Sequence, residues 1–180
     1  MNELNIRRLL SAALFLCLGL YVFIALRLAL VNDDYMALYT TWLMSVGKVP
    51  NVDFAVSSYT LLFDLFAPVY YLVGEHFEIL YVFRLLFLLM LSMLAWQVFI
   101  ITRFFFTSTT ALITLLLLAT SSAMVARGLD IRPDLPIILL WLQTIIVLYI
   151  KRYKEATKMF WVGFLFILAM LFKFPRLDEP

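Results

Sequence analysis

Apolar residues run almost unbroken through five stretches of this chain, and polar residues gather between them. Arg7-Arg8 precede a run over 9–31 broken only by Arg27, which is near enough to its end for the charged head to reach water along its own aliphatic stem. A second run spans 85–101 between Arg84 and Arg103, and 111–126, 135–150 and 159–172 complete the set. Runs this apolar predict helices surrounded by hydrocarbon. The first has neither the short core nor the small-residue cleavage site of a signal peptide, so it predicts an uncleaved span with its N-terminus inside.

Two further stretches are amphipathic or interrupted. Residues 33–46 put Met36, Tyr39, Leu43 and Val46 on one helical face, with Trp42 and several tyrosines beside them and Gly47 as the stop; such a helix rests at the membrane surface. After the polar connection Lys48-Val49-Pro50-Asn51-Val52-Asp53-Phe54, the apolar piece 59–73 is short, carries Asp64 and Pro68 inside it, and is bounded by Ser57-Ser58 and Gly74-Glu75-His76. If it crosses the bilayer there are six spans; if not, five. Total Lys plus Arg divides evenly either way. The loop Lys151-Arg152-Tyr153-Lys154-Glu155-Ala156-Thr157-Lys158 packs four basic residues into eight positions, and dense basic loops stay inside. The expected architecture is therefore all-α: a polytopic helical membrane protein of about five spans, six remaining the alternative. Its parts are a first span (1–31), an external loop with surface helices (32–84) and the remaining spans (85–180), a single membrane domain.

Composition agrees, with 65% hydrophobic and 14% charged residues among 180, well above the apolar share of a water-soluble domain. A net charge of +2 with no basic patch does not suggest nucleic acid. One cysteine, Cys17, and one histidine, His76, supply neither an intrachain disulfide nor a zinc or haem site.

The chemistry concentrates at Asn32-Asp33-Asp34-Tyr35, two adjacent carboxylates just past the first span. Ionisable groups at a bilayer boundary are functional candidates because their desolvation is costly. They are equally good helix caps, since Asn and Asp oxygens accept bonds from first-turn N–H groups. In the five-span arrangement Asp33, Asp34, Asp53, Arg84, the loop Arg127-Gly128-Leu129-Asp130-Ile131-Arg132-Pro133-Asp134 and Lys173 share the external face. A base and a phosphate clamp could then sit in one surface cavity. Headgroup or ion-pair contact is the competing role for either arginine taken singly.

Asp33-Asp34-Tyr35, followed by Trp42, Gly47-Lys48-Val49-Pro50, Asp53-Phe54, Ala67-Pro68, Gly74-Glu75 and Arg84, resembles the first external loop of the GT-C membrane glycosyltransferases. The group in question includes protein O-mannosyltransferases and the aminoarabinose and mannosyl transferases of bacterial lipids. Arg132-Pro133-Asp134 resembles that group's acidic position after span three, and Phe172-Lys173 its lysine after span five. Ser57-Ser58-Tyr59-Thr60 stands where many relatives have His-Pro or Lys-Pro. Such enzymes usually run to several hundred residues, so the chain is expected to be an N-terminal portion or a truncated form.

The resemblance implies transfer of a sugar from a polyprenyl-phosphate donor to a hydroxyl of a lipid, glycan or protein acceptor, by an inverting single displacement at the external face. The setting it implies is a bacterial plasma (inner) membrane with the N-terminus cytoplasmic. Asp33 and Asp34 are then the catalytic candidates, Arg84, Arg132 and Lys173 the donor-phosphate ligands, and Tyr35 and Asp134 supporting residues. No cofactor is certain; a divalent cation, if used, falls to Asp34 and Asp134. The absence of a glycine-rich phosphate loop suits a lipid-linked donor. The alternatives are a non-enzymatic transporter fragment, in which the acids bind ions, and an inactive truncated glycosyltransferase-like protein. Transporter sites usually lie at the midplane on broken helices, whereas the acids here gather at segment ends, Asp64 excepted.

Overall fold

The computed structural model describes residues 3–27, 32–55, 60–74, 78–150 and 153–172, and among these it forms eight helices and no strand. They are α1 (Glu3–Arg27), α2 (Asn32–Ser45), α3 (Thr60–Val73), α4 (Ile79–Phe105), α5 (Ser108–Thr120), α6 (Ser122–Arg127), α7 (Asp134–Tyr149) and α8 (Glu155–Leu171). Helices α1 and α4 have the length and hydropathy to cross a membrane by themselves. Helix α4 is the hub, packing against α1, α5 and α7, while α8 lies on α7 and α5 on α1.

Chain direction follows from where the ends meet. The carbonyl of Ala25, near the end of α1, accepts a bond from Arg84 in the second turn of α4 at 3.2 Å. The chain between these residues therefore leaves and returns on one side of the bundle. At the other side, Arg7 near the start of α1 donates to Thr109 at the start of α5 (3.2 Å), and Phe104 and Phe105 at the end of α4 pack on Tyr149 at the end of α7. Phe172, just past α8, is buried in the same cluster as Ile131 and the first turns of α4. One side thus gathers the end of α1, the start of α4, the loop before α7 and the end of α8.

Helices α2 and α3 form a hairpin on that side. Each has 14 residues, about 21 Å of helix against a hydrocarbon core of about 30 Å. Gly47 (φ 83°) ends α2 as glycine can and a side-chain-bearing residue cannot cheaply: its N–H reaches Met44 O (3.1 Å) and that of Lys48 reaches Leu43 O (3.0 Å), the paired bonds of a Schellman stop. Tyr70 and Tyr71 of α3 donate to the carbonyls of Leu38 (2.8 Å) and Ser45 (2.6 Å). Phe66 stacks on Phe83 (centroids 4.9 Å) and meets Phe87 edge-on, so α3 is fastened to the head of α4. The face of α2 with Met36, Tyr39 and Val46 is exposed, while Asp34, Ala37, Thr41 and Ser45 are buried. The small, polar side of α2 packs inward and its apolar side is left for lipid.

Several helices start before their apolar runs, α1 at Glu3 and α8 at Glu155 among them, and two departures from the sequence expectation bear on the site. The run 111–126 is split at Ser121, whose backbone turns extended (ψ 141°) and whose hydroxyl caps α6 by accepting from Met124 N–H; a serine oxygen competes here with the helix ladder. The span expected to start at residue 85 starts at Ile79, leaving Arg84 inside the helix. A charge at that depth persists only with partners, and it has them.

Candidate active site at one end of the bundle

The adjacent carboxylates of α2 have opposite surroundings. Successive residues on a helix point about 100° apart. Asp34 therefore faces the bundle and is 0% exposed, while Asp33 is 54% exposed. One oxygen of Asp34 accepts from the Ile131 N–H at 3.0 Å and the other from Arg84 Nη2 at 3.2 Å. Arg84 is 2% exposed and its Nη1 donates to Ala25 O. One buried ion pair thus joins α1, α2, α4 and the loop before α7. Uncompensated, either charge would be very costly in apolar surroundings.

The bond to Ile131 sets the next residue, Arg132. Its Nε lies 3.5 Å from an Asp33 oxygen and 3.4 Å from one of Asp134. Asp134 opens α7, where a carboxylate suits the positive helix end. Arg132 is 31% exposed and Asp134 59%, so this second cluster opens to the surface above the closed one. Asp130 is buried beside it. Gly128 holds the loop close to α6: its N–H bonds Met124 O at 2.8 Å, and an added Cβ would stand 2.5 Å from that same oxygen. Gly128→Ala should therefore shift the loop carrying Ile131 and Arg132 and destabilise the protein by about 1–3 kcal/mol, as overpacking does. Unfolding in mixed micelles checks it, and parent-like stability would mean the loop yields freely.

The structure brings together Asp33, Asp34, Arg84, Arg132 and Asp134, but in two layers instead of one open clamp. Arg84 was expected at a span end, available to phosphate; its guanidinium is instead committed to Asp34 and Ala25. Tyr35 points about 200° from Asp33 and stacks on Tyr39 (6.2 Å, 2° between planes), which stacks in turn on Trp42. It belongs to an aromatic stripe on the exposed flank of α2, an arrangement suited to an interface. Asp53 closes its own turn by accepting from Val49 N–H at 2.8 Å and is not part of the cluster. Lys173 lies outside the described residues. Among the described residues no three His, Cys, Asp or Glu side chains are arranged to hold a metal ion, and Asp34, closed to solvent with both oxygens engaged, does not fit a cation ligand. The Ala25 carbonyl and the Ile131 N–H had no signal in the sequence, being backbone groups, and Gly128 stood in the charged loop over 127–134 with nothing to mark its close approach to Met124.

Residues 57–177 match the profile of a protein family described as dolichyl-phosphate-mannose-protein mannosyltransferase. The matched stretch takes in Arg84, Arg132 and Asp134 and begins after the acidic pair of α2. No curated protein and no solved structure matches the chain.

Proposed function

The chain belongs to the dolichyl-phosphate-mannose-protein mannosyltransferase family, a membrane glycosyltransferase family using polyprenyl-phosphate sugar donors, and from that premise we propose that Asp33 is the general base of an inverting transfer at the external membrane face. The observation that carries this reading is the division between neighbours: Asp34 is closed in by Arg84 and Ile131, whereas Asp33 keeps an exposed carboxylate beside Arg132. In the transfer, Asp33 takes the acceptor's hydroxyl proton as that oxygen forms its bond to the sugar's C1. The C1–O bond to phosphate breaks on the opposite face, and the phosphate leaves with the electron pair. Arg132 supports the leaving phosphate, because a guanidinium carries five N–H donors and keeps its charge at any accessible pH. Preorganised cations aimed at developing charge are a large source of rate. Asp134 holds Arg132 from the other side, and Arg84 positions Asp34 and the loop in place of binding phosphate itself.

The setting we propose is a plasma membrane with five spans, the α2–α3 hairpin outside and the N-terminus inside. The return of the chain to the side of Ala25 at Arg84 supports this, since one crossing by α3 would separate those residues by the membrane. Single cysteines introduced at Val52, Phe106 and Lys154 in a Cys17→Ala background test it. An impermeant maleimide is expected to label Val52→Cys from outside and neither of the others; labelling of Lys154→Cys from outside would require six spans.

The reaction itself is tested in proteoliposomes containing polyprenyl-phosphate mannose with radiolabelled sugar. Consumption of the donor with transfer to an acceptor supports an enzyme, whereas solute movement without donor consumption would support a transporter.

A further inference from the structure

At the end of the bundle opposite the candidate site, two arginines from different helices converge on the first turn of α5. Arg7 of α1 donates from Nε to the Thr109 hydroxyl at 3.2 Å, and Arg103, in the last turn of α4, donates from Nη1 to the Ser108 hydroxyl. Adjacent residues of one helix thus hold two guanidinium groups side by side. Each guanidinium carries five N–H donors. Arg7 gives one more to Glu3, so among the described residues most of both forks stays open. The charge is not balanced from within. Helices α1 and α5 both begin at this end, and the start of a helix is a positive pole that added cations make more positive. Arg8 is exposed next to Arg7, and Glu3, 62% exposed, is the carboxylate bonded to the group.

The level of the cluster is that of lipid headgroups. Phe104 and Phe105, next to Arg103, pack on Tyr149, and aromatic rings of this kind sit at membrane–water boundaries. Leu4 and Leu9 of α1 and Ile113 of α5 are exposed nearby along the same two helices. An anion bound here has water on one side and open hydrocarbon on the other. A free phosphate uses only the first; a phosphodiester carrying acyl chains matches both. We propose that Arg7 and Arg103, set by Thr109 and Ser108, bind the phosphate of an anionic phospholipid in the leaflet at this end. Basic pockets between spanning helices recognise such headgroups. The headgroup that fits is one without a cation, such as that of phosphatidylglycerol, since a choline or ethanolamine ammonium would face the arginines and repel them. The bound lipid would tie α1 to α4 across the start of α5. This site does not depend on the sugar-transfer reading.

The test uses the full chain in phosphatidylcholine nanodiscs with a phosphatidylglycerol probe that bears a diazirine on its headgroup, and reads the labelled peptides by mass spectrometry. Label is expected on 3–10 and 103–110 ahead of 151–158, although that loop packs four basic residues into eight positions. Unlabelled phosphatidylglycerol should displace the probe, and free glycerol phosphate should not. Arg7→Gln and Arg103→Gln should each lower labelling of 103–110 about fivefold, the weight of one basic residue near an anionic surface. Lys158→Gln removes the same charge from the other basic stretch and should leave that labelling unchanged. Thermal unfolding in the same discs checks the fold of each variant. If a glutamine variant does not fold, Arg103→Lys, which keeps the charge and loses the fork, carries the test with a smaller loss in the same direction. Labelling of 151–158 at or above that of 103–110 would overturn the proposal and leave only the general attraction of basic loops for an acidic leaflet. Displacement by free glycerol phosphate, or labelling unmoved in the folded arginine variants, would overturn it as well.

Discussion

Asp33→Asn is expected to lower sugar transfer by on the order of a hundredfold to ten-thousandfold, the usual contribution of a general base, with little change in stability. Asparagine keeps the size of the side chain and caps a helix about as well as aspartate, so a residue that only starts α2 would tolerate it. What it cannot do is take the acceptor's proton. The stability change should be small because the Asp33–Arg132 contact is partly exposed, 54% and 31% for the two side chains, and such pairs contribute about 0–1 kcal/mol. Transfer from a labelled polyprenyl-phosphate sugar, beside an unfolding curve for the same preparation, checks both halves. A folded Asp33→Asn protein working at the parent rate would reduce Asp33 to a helix start. Arg132→Lys should weaken donor use without abolishing it, since lysine keeps the charge but loses the flat, two-toothed grip on oxygen.

The largest loss of stability is expected at the pair below. Asp34→Ala or Arg84→Ala should each destabilise the protein by about 3–5 kcal/mol, because the surviving partner becomes an uncompensated buried charge. Asp34→Ala also orphans the Ile131 N–H, and Arg84→Ala the role of Ala25 O as acceptor. The double variant Asp34→Leu/Arg84→Met should recover much of the loss, as apolar replacements of buried ion pairs often do, while a double-mutant cycle isolates the coupling. Recovery of stability without recovery of transfer is the expected pattern: the backbone bond that sets Arg132 beside Asp33 would still be missing. Should Arg84→Ala unfold no more readily than the parent, the pair would not be what ties the four segments together.

Segment-level properties were legible in the linear sequence. Apolar runs with charged ends gave helices in hydrocarbon, and the stop at Gly47 could be placed because one residue type takes φ 83° without strain. The existence of α2 and α3 as two short helices was legible in the breaks at Gly47 and Gly74 that end them. The acidic pair could be flagged because charge next to hydrocarbon needs a reason. Each of these is decided by residues within one or two turns of each other.

What the sequence could not decide depends on partners far along the chain. A charge normally marks the end of a span, which makes Arg84 a boundary in the linear sequence; it lies inside α4 because Asp34, 50 residues away, neutralises it and the Ala25 carbonyl, 59 residues away, accepts from one of its N–H groups. Equal totals of basic residues do not separate five spans from six, whereas the dense basic loop over 151–158 points to five; the contact of Ala25 with Arg84 adds a reason in the same direction, since it returns the chain to the side it left. Asp33 and Asp34 are the same residue type in adjacent positions, and only the face that α2 turns to the bundle distinguishes a closed carboxylate from an open one. The Ile131 N–H that donates to Asp34 is 97 residues distant, and such a group is carried by every non-proline residue alike. Hydropathy is a property of each segment, legible one segment at a time; the pairing of buried charges is a relation between segments, and it exists only once packing has removed the water that would otherwise have satisfied them.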